Sequence, residues 1–322
     1  MPKIALLVES GATPSSVTAS LDLFGIADRF AMDDGIEIRL FSAKGGPVTL
    51  SAVLQVETSV LPERLEGFDA VILPGFFARD IGQLTEKLTS QWGPTIDRLL
   101  TLDRSTLAAA SCYGTFVLAE SGLLDGRSAT TTWWLREDFE RRYPRVSLLA
   151  ERALVDDGML LTAGAMTAHI DLSLHLLRRL MGHALARRVG SVMLVDEARS
   201  SQLPFMALPR RFDEPLIDAA IAWMEKRLAT TFSAKELAGA LHVSYRTLHR
   251  RFHAVTGMPP LSYLQALRVE RAKEILEQTR KGVDQIAGEV GYCDSSSFRR
   301  LFTRLTSVTP AQYRRRFRGL ER

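Results

Sequence analysis

The spacing of apolar residues changes character along the chain. Short apolar or β-rich runs at Ile4–Val8, Ile36–Phe41, Ala70–Leu73 and Thr106–Ala110 alternate with helix-length stretches at Ser16–Ala31 and Leu84–Leu102, and a further helix follows Gly114. Strands that alternate with helices predict a parallel sheet covered on both faces. Val155–Met159 reads as a hairpin turning at Asp157-Gly158. Met166–Met181 reads as an amphipathic helix with Ile170, Leu174, Leu177 and Met181 on its buried stripe and Gly182 as its stop. Residues 196–214 lose all periodicity and hold Pro204 and Pro209, which suits a linker. From Pro215 onward only the helical period remains. The pattern thus predicts an α/β domain over 1–195, a linker over 196–214 and an all-α domain over 215–322.

The all-α part repeats itself at an offset of 50. Leu248, Arg250, Phe252, Thr256, Pro260 and Tyr263 recur as Phe298, Arg300, Phe302, Thr306, Pro310 and Tyr313. Leu237-Ala238 answers Ile286-Ala287, so the second copy carries one extra residue in its turn. Each copy has the parts of a helix-turn-helix. Ser233 and Glu236 form a capping box for one helix, which ends near Leu241. His242-Val243 forms the turn, and Ser244 caps a second helix that stops at Gly257. In the other copy Val283–Val290 is the first helix and Gly291-Tyr292-Cys293 the turn. Asp294 or Ser295 then opens the second helix, and Thr309-Pro310 starts a last one. Leu261–Gln278 joins the copies, with Leu261, Leu264, Ala272 and Ile275 as its buried stripe.

At 100° per residue, Leu248, Phe252 and Val255 fall on one side of the first second-helix, and Arg246, His249, Arg250 and His253 opposite. In the other copy Phe298, Leu301, Phe302 and Leu305 lie inside. Ser296, Arg299, Arg300 and Thr303 lie outside, beside Ser295 at the helix start. Both stripes offer donors to base edges, where Arg reads guanine at two atoms. Arg251, Arg304 and the helix N-termini suit phosphates instead. Charge agrees with this division. Residues 215–322 hold 19 Lys+Arg against 10 Asp+Glu, whereas residues 1–214 hold 22 against 27. A basic module on an acidic one points to a polyanion partner. A helical bundle with merely solvated Arg and His is the bland alternative. The run Arg314-Arg315-Arg316 is read equally well either way.

Several function classes drop out. Mean hydropathy is +0.01, and no apolar run approaches the length of a membrane span, so no membrane partner is expected. Cys112 and Cys293 are the two cysteines, which fits a reducing cytoplasm better than a disulfide framework. No P-loop, dinucleotide glycine fingerprint or metal spacing is present, so neither cofactor nor metal is expected. His169, His175 and His183 read as structural.

The tail resembles the AraC/XylS family over about 215–318. The carriers are Leu237-Ala238 with Leu241, Leu248 with Arg250 and Phe252, Gly291-Tyr292, Phe298–Phe302 and Thr309–Arg314. The resemblance implies seven helices, with two recognition helices in successive major grooves roughly 34 Å apart. Ala109–Gly114 joins an apolar strand to a helix through Cys112, as a nucleophile elbow does, and the helix N-terminus would lower the thiol pKa. A buried small residue at a tight turn is the other reading. From Ile4 to about Gly182 the chain resembles the PfpI-like branch of the class-I glutamine-amidotransferase-like superfamily. The match includes Leu73-Pro74-Gly75, Cys112-Tyr113-Gly114, Gly122–Gly126, Ala129–Thr131 and Leu161–Gly164. This implies a flavodoxin-like sandwich, and the two parts together look like the GlxA-type regulators.

Where family enzymes place His, this sequence has Tyr113 and Thr132, and where some place an acid it has Pro14. Cys112 is then a vestigial nucleophile, and no catalytic residue is expected. By the resemblance Glu9, Gly75, Phe76, Cys112, Tyr113, Trp133 and Trp134 would line an effector crevice at the strand ends. The expected function is a cytoplasmic, sequence-specific DNA-binding transcription regulator, not an enzyme. Its expected partners are double-stranded promoter DNA, a small effector such as an amine or amino-acid-like metabolite, a second copy of itself and RNA polymerase. A Cys-dependent hydrolase or glyoxalase with a DNA-binding appendage, and a protein-interaction scaffold, are the alternatives.

Overall fold

In the computed structural model, which describes residues 1–31, 35–195 and 199–318, the chain forms two units, Met1–Gln202 and Leu203–Arg322. The first unit opens with β1 (Lys3–Leu7), α1 (Pro14–Phe30), β2 (Glu37–Ser42), β3 (Gly46–Ser51), β4 (Leu54–Val60) and β5 (Ala70–Leu73). It continues through α2 (Ile81–Ser90), α3 (Gly93–Leu99), β6 (Leu107–Ser111), α4 (Gly114–Glu120), β7 (Ser128–Ala129), α5 (Arg136–Arg142) and β8 (Ser147–Leu148). It closes with β9 (Leu154–Asp157), β10 (Leu160–Ala163), α6 (Ala168–Met181) and α7 (His183–Val192).

The sheet order is β3-β4-β2-β1-β5-β6-β10-β9, parallel from β4 to β10 with an antiparallel strand at each edge. Side-chain period two assigns its faces. Ile4, Leu6, Ala70, Ile72 and Ala109 join one apolar cluster with α1, α6 and α7. Ala5, Leu7, Val71, Leu73, Ala108 and Ala110 join the other, with the helices of the opposite layer. The chain leaves β1 in both directions across the sheet, to β2 and to β5. The carboxyl ends of β1 and β5 therefore border the crevice typical of such a reversal.

Two expectations in this unit need correction, and one element was missed. Leu84–Leu102 is two helices, because Pro94 has no N–H to continue the first and instead starts the second. The β3–β4 hairpin was not predicted; its half-exposed alternation is weak and lies at the sheet edge. In α6, Leu177 is buried as expected, but Ile170, Leu174 and Met181 are only partly covered. The buried positions are Ala168, His169, Asp171, Leu172, Ser173, Leu176 and Leu177. Counting apolar residues misplaced the stripe because three of the buried positions are polar. His169 is 1% exposed, with Nε2 2.7 Å from the Ser20 hydroxyl and Nδ1 2.8 Å from that of Ser111. Ser173 donates to the His169 carbonyl at 2.9 Å.

The second unit begins with a 3-10 turn at Leu203–Phe205. There follow α8 (Pro215–Glu225), α9 (Ala234–Ala240), α10 (Tyr245–Thr256) and α11 (Pro260–Gln278), then α12 (Val283–Glu289), α13 (Ser295–Thr306) and α14 (Pro310–Phe317). It has two apolar clusters. Tyr263, Leu264 and Leu267 of α11 pack with α8, α9 and α10. Val269, Ala272, Ile275 and Leu276 of the same helix pack with α12, α13 and α14. One helix thus serves two cores. Leu261, expected inside, is 42% exposed, since Tyr263 takes the inward position of that first turn. Of the stretch expected as linker, 196–198 lies outside the described residues. Arg199–Gln202 falls in the first unit and Leu203–Glu214 in the second.

Burial drives the His169 imidazole down to about 4. The unfolded chain then binds a proton that the folded one refuses between pH 6.5 and 4. Stability should fall by about 3 kcal/mol as pH drops through that window. Urea denaturation at several pH values checks this, and His169→Asn should flatten that part of the curve.

Candidate nucleic-acid interface and sensor crevice

Each helix-turn-helix is fixed by the same three local devices. Val243 N–H donates to Ala238 at 3.0 Å, and Tyr292 N–H to Ala287 at 2.9 Å. The turn residue before each is left-handed, His242 at φ 55° and Gly291 at φ 87°. Glycine is required at the second, where a Cβ would lie 2.7 Å from the Leu228 carbonyl oxygen. The helix that follows then starts on a side-chain cap. Ser244 accepts from Thr247 N–H at 3.1 Å, while Asp294 accepts from Ser296 and Ser297 at 3.0 and 2.8 Å. Both helices end on a left-handed residue, Gly257 and Ser307. The result is two 12-residue helices in the same register, 50 residues apart.

Burial of Leu248, Phe252, Phe298, Leu301 and Phe302 turns the opposite stripes outward. Arg246, Arg250 and His253 are exposed, and His249 is half-buried with its ring 5.7 Å from Tyr245. Ser296, Arg299 and Arg300 are exposed, and Ser295 and Thr303 are half-buried. The second stripe is held by neighbours: Arg299 reaches Asp284 at 2.8 Å and Arg300 reaches the Ser297 hydroxyl at 2.8 Å. Arg304 is exposed, whereas Arg251 pairs with Glu214. Sequence reading missed that pairing because Glu214 is 37 positions away.

The crevice of the first unit gathers several of its predicted residues around the elbow. Cys112 has φ 55°, and its N–H donates to the Ala163 and Gly164 carbonyls at 3.0 and 2.9 Å. The two flanking glycines are steric necessities. A Cβ on Gly75 would lie 2.9 Å from that of Cys112, and one on Gly114 only 2.5 Å from the Leu73 carbonyl oxygen. Tyr113 and Trp134 meet through the indole N–H, 3.3 Å from the phenol, and Trp133 stands edge-on to Trp134 at 5.5 Å. Phe76 is 2% exposed and packs 5.3 Å from Trp92, so it is a wall behind the aromatic group. Glu9 follows β1 and accepts from Ala43 N–H at 2.7 Å. Burial raises its pKa, opposed by that hydrogen bond and by Lys44.

The expected lowering of the Cys112 pKa is reversed. The thiol is 7% exposed, and its burial pushes it up to about 12, outweighing the Tyr113 N–H that favours thiolate. The residues that sequence reading missed are Thr13, Thr131 and Gln202. The Thr13 hydroxyl would lie 3.3 Å from a Gly75 Cβ, and Thr131 donates to the Cys112 carbonyl at 2.8 Å. Gln202 lay in the expected linker and carried no signal. Thr132 was noted only as a missing His; its buried hydroxyl has no hydrogen-bond partner among the described residues. Among those residues no helix is long and apolar enough to cross a membrane.

Two families match different parts of the chain: the DJ-1/PfpI family over residues 3–179 and a helix-turn-helix domain over residues 237–316. The HTH-type transcriptional regulator CdhR of Pseudomonas aeruginosa is 29% identical over 312 residues, covering 96% of this chain and 90% of that protein. The HTH-type transcriptional regulator GlxA of Rhizobium meliloti is 29% identical over 206 residues, 63% of this chain and 63% of that one. Among solved structures, Drosophila melanogaster DJ-1beta superposes with a TM-score of 0.50 at 23% identity, over 61% of this chain and 98% of its own. A THiJ/PfpI family protein from Pseudomonas syringae gives 0.50 at 21% identity, over 74% and 90%. These superpositions speak to the fold of the first unit.

With Cys112 buried and Cys293 exposed, a thiol reagent at pH 8 should titrate one cysteine fast and the other only on unfolding. Cys293→Ser should abolish the fast phase; a fast phase that survives would place a reactive thiolate at Cys112.

Proposed function

The chain belongs to the DJ-1/PfpI family and ends in a helix-turn-helix domain, and from that premise we propose that it is a cytoplasmic, sequence-specific DNA-binding transcription regulator. One observation carries the reading. Two helices of equal length, at the same register of an internal repeat, turn Arg-bearing stripes of the same spacing to solvent. In each, the apolar side is consumed by its own core, so the polar side is left for a partner. Arg246, His249, Arg250 and His253 form one reader, and Ser295, Ser296, Arg299, Arg300 and Thr303 the other. Arg304 serves phosphates. Full-length similarity to a transcriptional regulator supports the same reading.

The first unit is the sensor. A small amine or amino-acid-like metabolite would enter beside Tyr113, Trp133 and Trp134, whose ring faces attract cations, with Glu9, Gly75 and Cys112 at the strand ends. A second copy of the chain would set the number of readers on one promoter, and RNA polymerase would receive the output. Hydrolysis by Cys112 is disfavoured on physical grounds. Burial pushes its pKa up to about 12, so the thiolate, which is the nucleophile, is scarce at pH 7.

Mapping of bound genomic sites identifies the operator. On that duplex Arg250→Ala and Arg300→Ala should each cost roughly 1–3 kcal/mol and relax preference at a local base. Equal loss on every sequence would reduce them to phosphate contacts. Affinity should also fall steeply as salt rises, since bound phosphates release counterions. A flat salt response would point to a protein scaffold instead.

A further inference from the structure

Gln202 is the last residue of the first unit, yet its side chain is 5% exposed and wedged into the wall of the crevice. Its Oε1 accepts from Ala165 N–H at 3.2 Å. Its Nε2 has two hydrogens and four oxygens in reach. The carbonyls of Thr131 and Ala150 lie at 2.9 Å, that of Arg152 at 3.1 Å and the Thr130 hydroxyl at 3.3 Å. The backbone beside it is tied as well, Gln202 N–H donating to Glu151 at 2.7 Å. Gly164 makes room for it, since a Cβ there would fall 2.2 Å from Oε1. Upstream, Arg199 grips Thr167 and the buried Asp171 at the start of α6.

The backbone that Gln202 holds is the backbone of the sensor site. Thr131 donates to the Cys112 carbonyl, Gly164 accepts from the Cys112 N–H, and the segment from Thr130 leads directly into Trp133 and Trp134. Any occupant that moves this segment by a fraction of a hydrogen-bond length disturbs the amide bonds of Gln202.

On its other side Gln202 continues into a strap laid along the second unit. Phe205 packs 5.2 Å from Phe317 of α14. The Met206 carbonyl accepts from Lys273 of α11 at 3.0 Å, and the Pro209 carbonyl accepts from the Tyr263 hydroxyl. Arg210 meets Glu274 at 2.7 Å, and Glu214 pairs with Arg251 on the first reader helix. Here the two repeats part company: the matching Tyr313 bonds Glu277 of α11 instead of the strap.

We propose that Gln202 is a positioning residue that couples occupancy of the sensor crevice to the strap Leu203–Glu214, and through Tyr263, Lys273 and Arg251 to the first reader. This rests on the crevice being the sensor site. The mechanism is an exchange of hydrogen bonds. With the Thr130–Thr132 segment in its present position the amide is satisfied and the strap is anchored. With that segment displaced, the amide loses the Thr131 carbonyl and the Thr130 hydroxyl, keeps the carbonyls of Ala150 and Arg152, and holds the strap less firmly at one end. Loosening changes what holds α10 and α11, and so the affinity of the first reader.

Hydrogen exchange on the full chain tests this in four forms: parent, Trp134→Ala, Gln202→Ala and both together. Gln202→Ala should speed exchange by about tenfold in residues 130–134 as well as 199–214, with α1 and the central strands unchanged. Trp134→Ala should speed 199–214 in the parent and add nothing once Gln202 is gone. Affinity for the mapped operator should shift several-fold with either change. Faster exchange confined to 199–203, with crevice exchange and DNA affinity at parent values, would overturn the coupling, as would two effects that simply multiply. If Gln202→Ala unfolds the sheet, Gln202→Glu gives the same comparison. It keeps the length but replaces the donating amide with an acceptor, and should again loosen both segments. A thermal-shift screen of amines and amino acids separates the two readings. Coupling in the four forms with no binder sinks only the sensor assignment. A binder that leaves 199–214 unmoved sinks the coupling.

Discussion

Burying Phe252 and Phe302 decides which way the arginines face. In a helix, residues two positions apart lie on nearly opposite sides, so a Phe locked in the core sends Arg250 or Arg300 to solvent. Leu248, Phe298 and Leu301 act in the same sense, while exposed Arg side chains hold their own geometry weakly. The clamp at each turn adds the angle between helices. The shared helix α11 joins the two cores, so the readers are not independent domains on a string.

The first unit works under a different constraint, backbone proximity. Gly75 and Gly114 let the carboxyl ends of β5 and β6 close around Cys112, leaving no room for a methyl group at either place. That closeness buries the thiol, and burial governs its chemistry more strongly than the nearby helix end. A geometry that serves nucleophiles elsewhere here encloses the thiol, and that enclosure raises its pKa. The hydroxyls of Ser20 and Ser111 hold the two ring nitrogens of the buried His169, and among the described residues no carboxylate bonds that ring.

What could be read from the sequence was local. The Ser233–Glu236 box, the Ser244 cap and the Gly257 stop depend on neighbours within a few positions, the 50-residue echo needs only the sequence compared with itself, and all stand in the structure. So does the Asp157-Gly158 turn. The misreadings share a remote cause. The inward face of α6 depends on hydroxyls from α1 and β6, which no periodicity of α6 contains. The direction of the Cys112 shift depends on how tightly other strands close over it. Gln202 sits in a stretch with no helical or strand pattern because its partners are the loops of distant strands. Pro94 was different: its effect was local and visible, and the apolar spacing on either side masked it.

The second turn is one residue longer than the first, yet the helices after both turns are identical in length and register with their cores. An inserted residue has been absorbed entirely in the corner, which leads to Asp294 where the first copy has Ser244. Corners of this kind can therefore gain or lose a residue during evolution without repacking anything beneath them. A lineage can retune one half of such a protein toward a new target while the other half keeps its old one.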